Sequence, residues 1–380
     1  MRKESFIALP KKLSGATILV RVDFNESIER KKIKDSFRIH ATAPTLHELR
    51  RRGARLVLIA HLEDSATKKQ LSFKPHIAQI SKIIGMPLAF SKIYSKKALG
   101  IAPAVLLENI RFQNGETAND INFARRLASL GDLYINEAFS VSHRKHASIV
   151  GITKFLPSYA GPLLQKEVAA LSEALKPKHP FLLIIGGAKF STKVALLKNF
   201  LPKADAVFIG GALANTFLKA HGLEVGRSVI EKDALGQMAN FLRSQKIILP
   251  LDAYVSQRFA KSVFDVDKGE KIFDVGPESV KMLTGLARSA KYVLWNGPLG
   301  FIEGGYDQST RELLKNLAKM KKTKVIIGGG DTVEVLDEMR LQQHFYHVST
   351  GGGAMLDFLA DGSLPGIDAI ASAQKRMHKK

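Results

Sequence analysis

Apolar runs of strand length, near-continuous rather than alternating, recur along this chain and constrain its fold more than any other feature. Examples are LVLIA (Leu56–Ala60), FLLII (Phe181–Ile185) and KVII (Lys324–Ile327). A strand that is apolar at every residue is buried on both faces, the condition of a parallel sheet covered by helices. Three such strands run into glycines that open a predicted helix: FLLIIGGAK (Phe181–Lys189), KVIIGGGDT (Lys324–Thr332) and HVSTGGGAM (His347–Met355). This kind of junction leaves backbone N–H groups unpaired at the positive end of a helix, with no side chain blocking an anion. Three of them in one half of the chain imply that phosphate is held there. The charged residues alongside imply that it is also moved.

Strands are expected at Thr17–Asp23, Arg55–His61, Ala104–Arg111 and Asp132–Asn136 in the first half. In the second half they are expected at Phe181–Ile185, Ala206–Ile209, Lys246–Leu251, Lys291–Trp295, Lys324–Ile327 and His347–Ser349. Helical periodicity falls between them, for example over Asn119–Ser129, Ser191–Leu201 and Gln308–Lys319. With 380 residues the chain exceeds one ordinary core. The expected class is therefore α/β, with two doubly wound, mainly parallel-sheet domains. Between them, Leu163, Leu164, Val168, Leu171 and Leu175 form a helical stripe closed by Pro177 and Pro180. This suits a hinge helix over 161–177, separating a domain at 1–160 from one at 178–364.

The chain has no cysteine, so disulfides, thiol nucleophiles and cysteine-based zinc sites are excluded. The start, MRKESFIALPKKLSG, lacks the apolar core of a signal peptide, and no apolar stretch reaches the roughly 20 residues that span a bilayer. A cytoplasmic, soluble protein without a membrane partner is expected. The net charge of +22 is carried by short scattered groups such as Arg50–Arg52 and Lys68-Lys69, apart from the end at Lys375–Lys380. A basic surface that attracts anionic metabolites explains that pattern better than a dedicated nucleic-acid site.

Polar residues cluster where the first-half strands end: Asp23 and Asn25, His61, Arg111, and His143 with Arg144. Arg38 follows in the connection to the next helix. Ligands bind outside the carboxyl ends of such strands, and three arginines there offer planar charged forks for a carboxylate and a phosphate. His143 and His146 have only Glu137 nearby, which argues against a metal site. In the second half, Lys189 and Lys193 are expected on one face of the helix after Gly186-Gly187, where they would cradle phosphates. Asp331, closing GGGD, suits Mg²⁺ held together with phosphate oxygens. Neither GxxxxGK[ST] nor GxGxxG occurs, which disfavours P-loop and dinucleotide-binding readings.

Ten stretches then occur in a telling order: RVDFN, DSFRIHA, LLENIRFQNGE, NEAFSVSHRKHAS, GGAKFSTK, FIGGALANTFLKAHG, VGPES, WNGPLGFIE, IIGGGDT and VSTGGGA. Through them the chain resembles the phosphoglycerate kinase family over nearly its whole length. The resemblance implies phosphoryl exchange between ATP with 3-phosphoglycerate and ADP with 1,3-bisphosphoglycerate, in glycolysis and gluconeogenesis. It implies phosphoglycerate binding by Asp23, Asn25, Arg38, His61, Arg111 and Arg144. It also implies binding of Mg²⁺ and nucleotide by Gly187, Lys189, Lys193, Gly211, Phe273, Asn296, Glu303, Gly329, Gly330, Asp331 and Thr332. Within that set Asp331 would meet the metal, Glu303 the ribose and Phe273 the adenine. Charge on the transferred group would be met by Arg38, Lys189, Mg²⁺ and the amides of Gly352 and Gly353. The resemblance further implies a monomer whose tail, 365–380, packs on the first domain.

Two departures stand out. Where the family generally reads His-Leu-Gly-Arg-Pro, this chain reads His61-Leu62-Glu63-Asp64-Ser65, replacing a base with acids. Either the loop tilts outward and Lys68 or Lys69 supplies charge, or phosphoglycerate binding is weakened, or the acceptor differs or the activity is lost. A basic nucleotide- or RNA-binding protein on the same scaffold is the non-enzyme alternative, which the retention of Arg38, Lys189 and Asp331 argues against. Thr192 also stands where the family generally carries aspartate, and the loop after Asp252 looks shortened.

Overall fold

The computed structural model describes residues 6–29, 32–34, 36–64, 67–96, 102–256 and 259–378. Ser65, Lys379 and Lys380 lie outside the described residues. The chain divides into two compact units, one of Met1–Ala169 with Asp361–Lys380 and one of Ala170–Ala360. The division falls inside the helix Pro162–Ala174, which buries Leu164, Val168 and Leu171.

The first unit is built on β1 (Thr17–Arg21), a hairpin of β2 (Ile28–Glu29) and β3 (Lys32–Ile33), β4 (Arg55–Ile59), β5 (Ala89–Ser91), β6 (Ala104–Leu107), β7 (Leu133–Asn136) and β8 (Ser158–Ala160). Six of these form one parallel sheet in the order β5-β6-β4-β1-β7-β8. Alternate residues of β1 fill two cores, Ile18 and Val20 on one face and Leu19 on the other. The near-continuous apolar runs reflect that double burial. The chain passes to β4 on one side of β1 and returns to β7 on the other, so the end of β1 lies at a topological switch point. The last helix, Pro365–Met377, belongs to this unit; Gly366 N–H donates to the Ser142 carbonyl and Ile7 N–H to Gln374 Oε1.

The second unit contains β9 (Phe181–Ile185), β10 (Ala206–Ile209), β11 (Ile247–Ile248), β12 (Asp252–Tyr254), β13 (Ala260–Ser262), β14 (Asp274–Val275), β15 (Tyr292–Asn296), β16 (Lys324–Gly328) and β17 (His347–Val348). Its parallel sheet runs β11-β10-β9-β15-β16-β17, with the switch point between β9 and β15. A small antiparallel sheet, β13-β12-β14, follows β11 and takes up part of the stretch expected as one strand to Leu251.

Two of the three glycine junctions open helices directly, Gly330–Glu338 and Gly353–Asp361. The first does not. Gly187 takes φ +87°, and the Phe190 N–H is held by Glu231 Oε2 at 2.6 Å, so a turn intervenes and the helix begins at Val194. Lys189 and Lys193 therefore do not share a helix face: Lys189 is exposed before the turn and Lys193 is buried at its end.

Candidate active site

In the first unit, Asp23 and Asn25 follow β1. The Asn25 N–H donates to Asp23 Oδ1 at 3.0 Å, and Ser140 Oγ donates to Asp23 Oδ2. Arg38 sits in the first turn of the helix Phe37–Arg51, its amide donating to Glu26 Oε1 at 2.8 Å. The Arg38 guanidinium reaches the Asn25 carbonyl at 2.6 Å and lies 3.5 Å from Asp23. Burial would raise the Asp23 carboxyl, but Arg38, His61 and the two hydrogen bonds outweigh it and hold the pKa below its ordinary value.

Arg111 follows β6, within the short helical turn Ile110–Phe112 capped by the Asn109 side chain. Its Nε and Nη2 are buried without a hydrogen-bond partner, and burial together with Arg144 and Arg21 lowers its pKa. Nearby His61 is pushed well below its ordinary range by burial, then by Arg21, with Arg111 and Arg144 adding. His146 falls to about 3 through burial and the charges of Arg111, Arg144 and Arg21. Burial is the first cause of these depressions, and the recurring contribution of Arg21, Arg111 and Arg144 after it marks a concentration of positive charge that a bound anion would relieve. The six residues expected to bind one substrate thus meet at one sheet edge.

Arg21 was absent from that expectation. Fully buried under the cluster, it donates through Nε to Ser148 Oγ at 3.1 Å and lies 3.5 Å from His61 Nδ1. Ser148 in turn donates to the buried Glu116 at 2.6 Å. Its position inside β1, two residues before Asp23, was the available signal; an arginine in an apolar strand needs a buried carboxylate or an end to reach.

The HLEDS loop turns its acids to different uses. Asp64 Oδ1 accepts from Thr67 N–H at 2.7 Å and from its hydroxyl at 2.8 Å, so this carboxylate closes its own loop. Glu63 donates its N–H to Asn25 Oδ1 at 2.7 Å and accepts from Gln70 Nε2 at 2.9 Å. Its charge is still felt at Arg111, whose pKa it raises. Lys68 and Lys69 are exposed.

In the second unit the site forms at the switch point. Gly186 N–H bonds the Asn296 carbonyl at 2.9 Å and Gly187 N–H that of Pro298 at 2.8 Å. A Cβ at Gly186 would fall 2.1 Å from the Pro298 oxygen, so only glycine permits this approach. Lys193 Nζ donates to Asn296 Oδ1, and burial drives its pKa down to about 8, with Asp331 partly offsetting. Asp331 lies in the first turn of the helix opened by Gly329 (φ +100°) and Gly330. Its pKa is raised by burial and by Glu303 and Glu334, against the pull of Lys193. Thr332 Oγ1 is buried without a partner. Asn296 Nδ2 lies 3.6 Å from Met355 Sδ, which ties in the helix opened by Gly353, where Gly352 and Gly353 have open space around them.

Beside this cluster lies a cavity of about 250 Å³ whose lining includes Gly187, Gly211, Phe273, Glu303 and Asp331. Phe273 stacks on Tyr306 at 4.2 Å and carries Lys271 5.2 Å over its ring, so its edge borders the cavity. Lys189 is not part of the lining.

The phosphoglycerate kinase family model matches residues 10–362. The chain belongs to the phosphoglycerate kinase family. A phosphoglycerate kinase of Coprothermobacter proteolyticus is 40% identical over 372 residues, covering 92% of this chain and 94% of that protein. One from Roseiflexus is 38% identical over 385 residues, covering 95% and 97%. Among solved structures, phosphoglycerate kinase from Coxiella burnetii superposes with a TM-score of 0.79 at 35% identity, over 95% of this chain and 97% of that one. The Pyrococcus horikoshii enzyme gives 0.87 at 26% identity, over 96% and 98%. Family membership supplies the activity: a kinase exchanging a phosphoryl group between ATP with 3-phosphoglycerate and ADP with 1,3-bisphosphoglycerate. Among the described residues no helix is long and apolar enough to cross a membrane.

Proposed function

We propose that the first unit holds phosphoglycerate and the second holds nucleotide, with a carboxylate oxygen of 3-phosphoglycerate attacking the γ-phosphorus of ATP. Arg111 carries this reading: two buried guanidinium nitrogens without a hydrogen-bond partner, beside Arg144 and Arg21, would be satisfied by a bound anion. Arg38, Arg144, His61, Asp23 and Asn25 complete the cradle. Lys193, Asn296, Thr332 and the amides of Gly329 and Gly330 address the nucleotide phosphates, while Gly187 and Gly211, whose own amides bond the Pro298 and Leu299 carbonyls, leave room for the nucleotide in the cavity wall. Glu303 takes the ribose, and Phe273 borders the base.

Asp331 fits as the protein's ligand to Mg²⁺, because a divalent cation relieves the crowding of its carboxyl by Glu303 and Glu334. No three His, Cys, Asp or Glu side chains converge among the described residues, so phosphate oxygens and water would complete the coordination. The bound ion supplies cancellation of phosphate charge. Phosphoryl transfer needs positioning and charge neutralisation more than covalent help. Arg38, Lys189 and the Gly352 and Gly353 amides serve that end, and exposed Lys189 reaches the reacting group only when the site is assembled.

With the substrates on separate units, transfer requires closure, and the helix Pro162–Ala174 is the proposed hinge. The same reading makes the protein a cytoplasmic monomer without a dedicated nucleic-acid site. A coupled assay with 3-phosphoglycerate and MgATP tests the division of labour. Arg111→Met should raise KM for phosphoglycerate by roughly tenfold or more while leaving KM for ATP unchanged. The opposite pattern would refute the assignment.

A further inference from the structure

Among the polar side chains that line the cavity beside Asp331, Asn215 has no part in the proposed roles. Asn215 lies on the helix Gly211–Ala220, on the face that also presents Gly211 and Leu218 to the cavity at helical spacing. The residue is 2% exposed, and its Oδ1 is buried with no hydrogen-bond partner. Its Nδ2 donates to the Val229 carbonyl at 3.4 Å. That bond fixes which end of the amide is free, because the flipped amide would set two acceptors against each other. Much of the surrounding wall is apolar, with Leu218, Ala253 and Val263 packed in one cluster.

We propose that Asn215 reads the base, its Oδ1 accepting a hydrogen bond from the exocyclic 6-amino group of adenine. The inference rests on the reading of this cavity as the base site. A 6-amino base satisfies the buried acceptor. A 6-oxo base, as in ITP or GTP, sets a second acceptor against it and leaves both unpaired in an apolar wall. A site built to bond a substrate N–H discriminates strongly against the analogue that lacks it. ITP is the informative probe, since it replaces the 6-amino group by an oxo group, with N1 protonated as a consequence, and leaves the rest of the nucleotide unchanged.

In steady-state assays with saturating 3-phosphoglycerate, the wild-type enzyme should show kcat/KM at least tenfold higher for MgATP than for MgITP. Asn215→Leu, of similar volume, should lower kcat/KM for ATP by about tenfold, leave ITP nearly unchanged, and bring the ratio close to unity. A wild-type ratio within twofold overturns the proposal without any variant. An undiminished ratio in a folded Asn215→Leu protein, with its melting temperature and KM for phosphoglycerate intact, also overturns it. Val229→Trp separates this failure from failure of the cavity reading. Val229 is 55% exposed at the cavity wall, so tryptophan narrows the mouth without disturbing a core. If Val229→Trp raises KM for both nucleotides, the cavity holds the base and the Asn215 result stands alone. If it moves neither, the base binds elsewhere and both readings fall.

Discussion

Lys193 should destabilise the free enzyme that needs it. Its ammonium is buried beside Asn296, and its pKa falls from 10.5 to about 8. That shift corresponds to at most about 3 kcal/mol of lost stability below pH 8. Lys193→Gln removes the charge and keeps an N–H donor for Asn296, so the apo protein should gain roughly 1–3 kcal/mol at pH 7. The sign with pH is fixed. Between pH 8 and 10.5 the unfolded chain holds a proton that the folded chain has released, so wild-type stability rises across that window and the variant's advantage fades. Urea unfolding followed by Trp295 fluorescence reads this directly, because Trp295 is the chain's single tryptophan and is buried in β15 of the same unit. Nucleotide phosphates should restore the proton, so ADP binding at pH 8 should take up a fraction of one proton. Calorimetry in buffers of different ionisation enthalpy measures it. A variant less stable than wild type at pH 7, or a difference that is the same at pH 7 and pH 10, would refute the argument.

Three further outcomes follow from the same geometry. Glu63→Gly with Asp64→Arg should lower KM for phosphoglycerate by roughly tenfold at low ionic strength, since Glu63 acts on Arg111; an unchanged KM would mean the loop does not touch the substrate's field. Lys189→Ala should cut kcat by about 100-fold while changing nucleotide KM by less than about threefold, and near-normal turnover removes it from the reaction. Glu137 is buried against Thr45 and the Leu163 N–H, and burial lifts its pKa from 4.5 to about 8. The folded chain then keeps a proton that the unfolded chain has lost between those values, so stability falls as pH rises. Glu137→Gln should be about 2 kcal/mol or more the stabler protein at pH 8 and nearly equal at pH 5, and parallel urea profiles would contradict this.

What the chain disclosed about its fold came from burial. β9 and β10 begin and end where FLLII and AVFI do, because a strand covered on both faces has no polar residue to blur its limits. The edge strands β5 and β8 gave no such signal. Only one residue of AFS is buried, and SYA is too short for a pattern. The turn after Gly187 was hidden for another reason. Its cause is Glu231, 41 residues away, whose carboxylate takes the Phe190 N–H that a helix would have used. Sequence spacing cannot show a competitor that distant.

The site followed the same division. Asp23, His61 and Arg111 could be read because each stands where a strand ends, and topology alone brings strand ends together. Arg21 could be placed only inside an apolar strand, since nothing local shows that it meets Ser148 over Glu116. Its charge nonetheless reaches both histidines of the cradle. Burial first, and then the permanent charges of Arg21, Arg111 and Arg144, depress His61 and His146, so these imidazoles stay neutral and act as hydrogen-bonding groups rather than as cations. The charge facing the substrate is therefore carried by arginines, which cannot shed it, and phosphoglycerate binding should owe little of its dependence on pH between 6 and 8 to the protein.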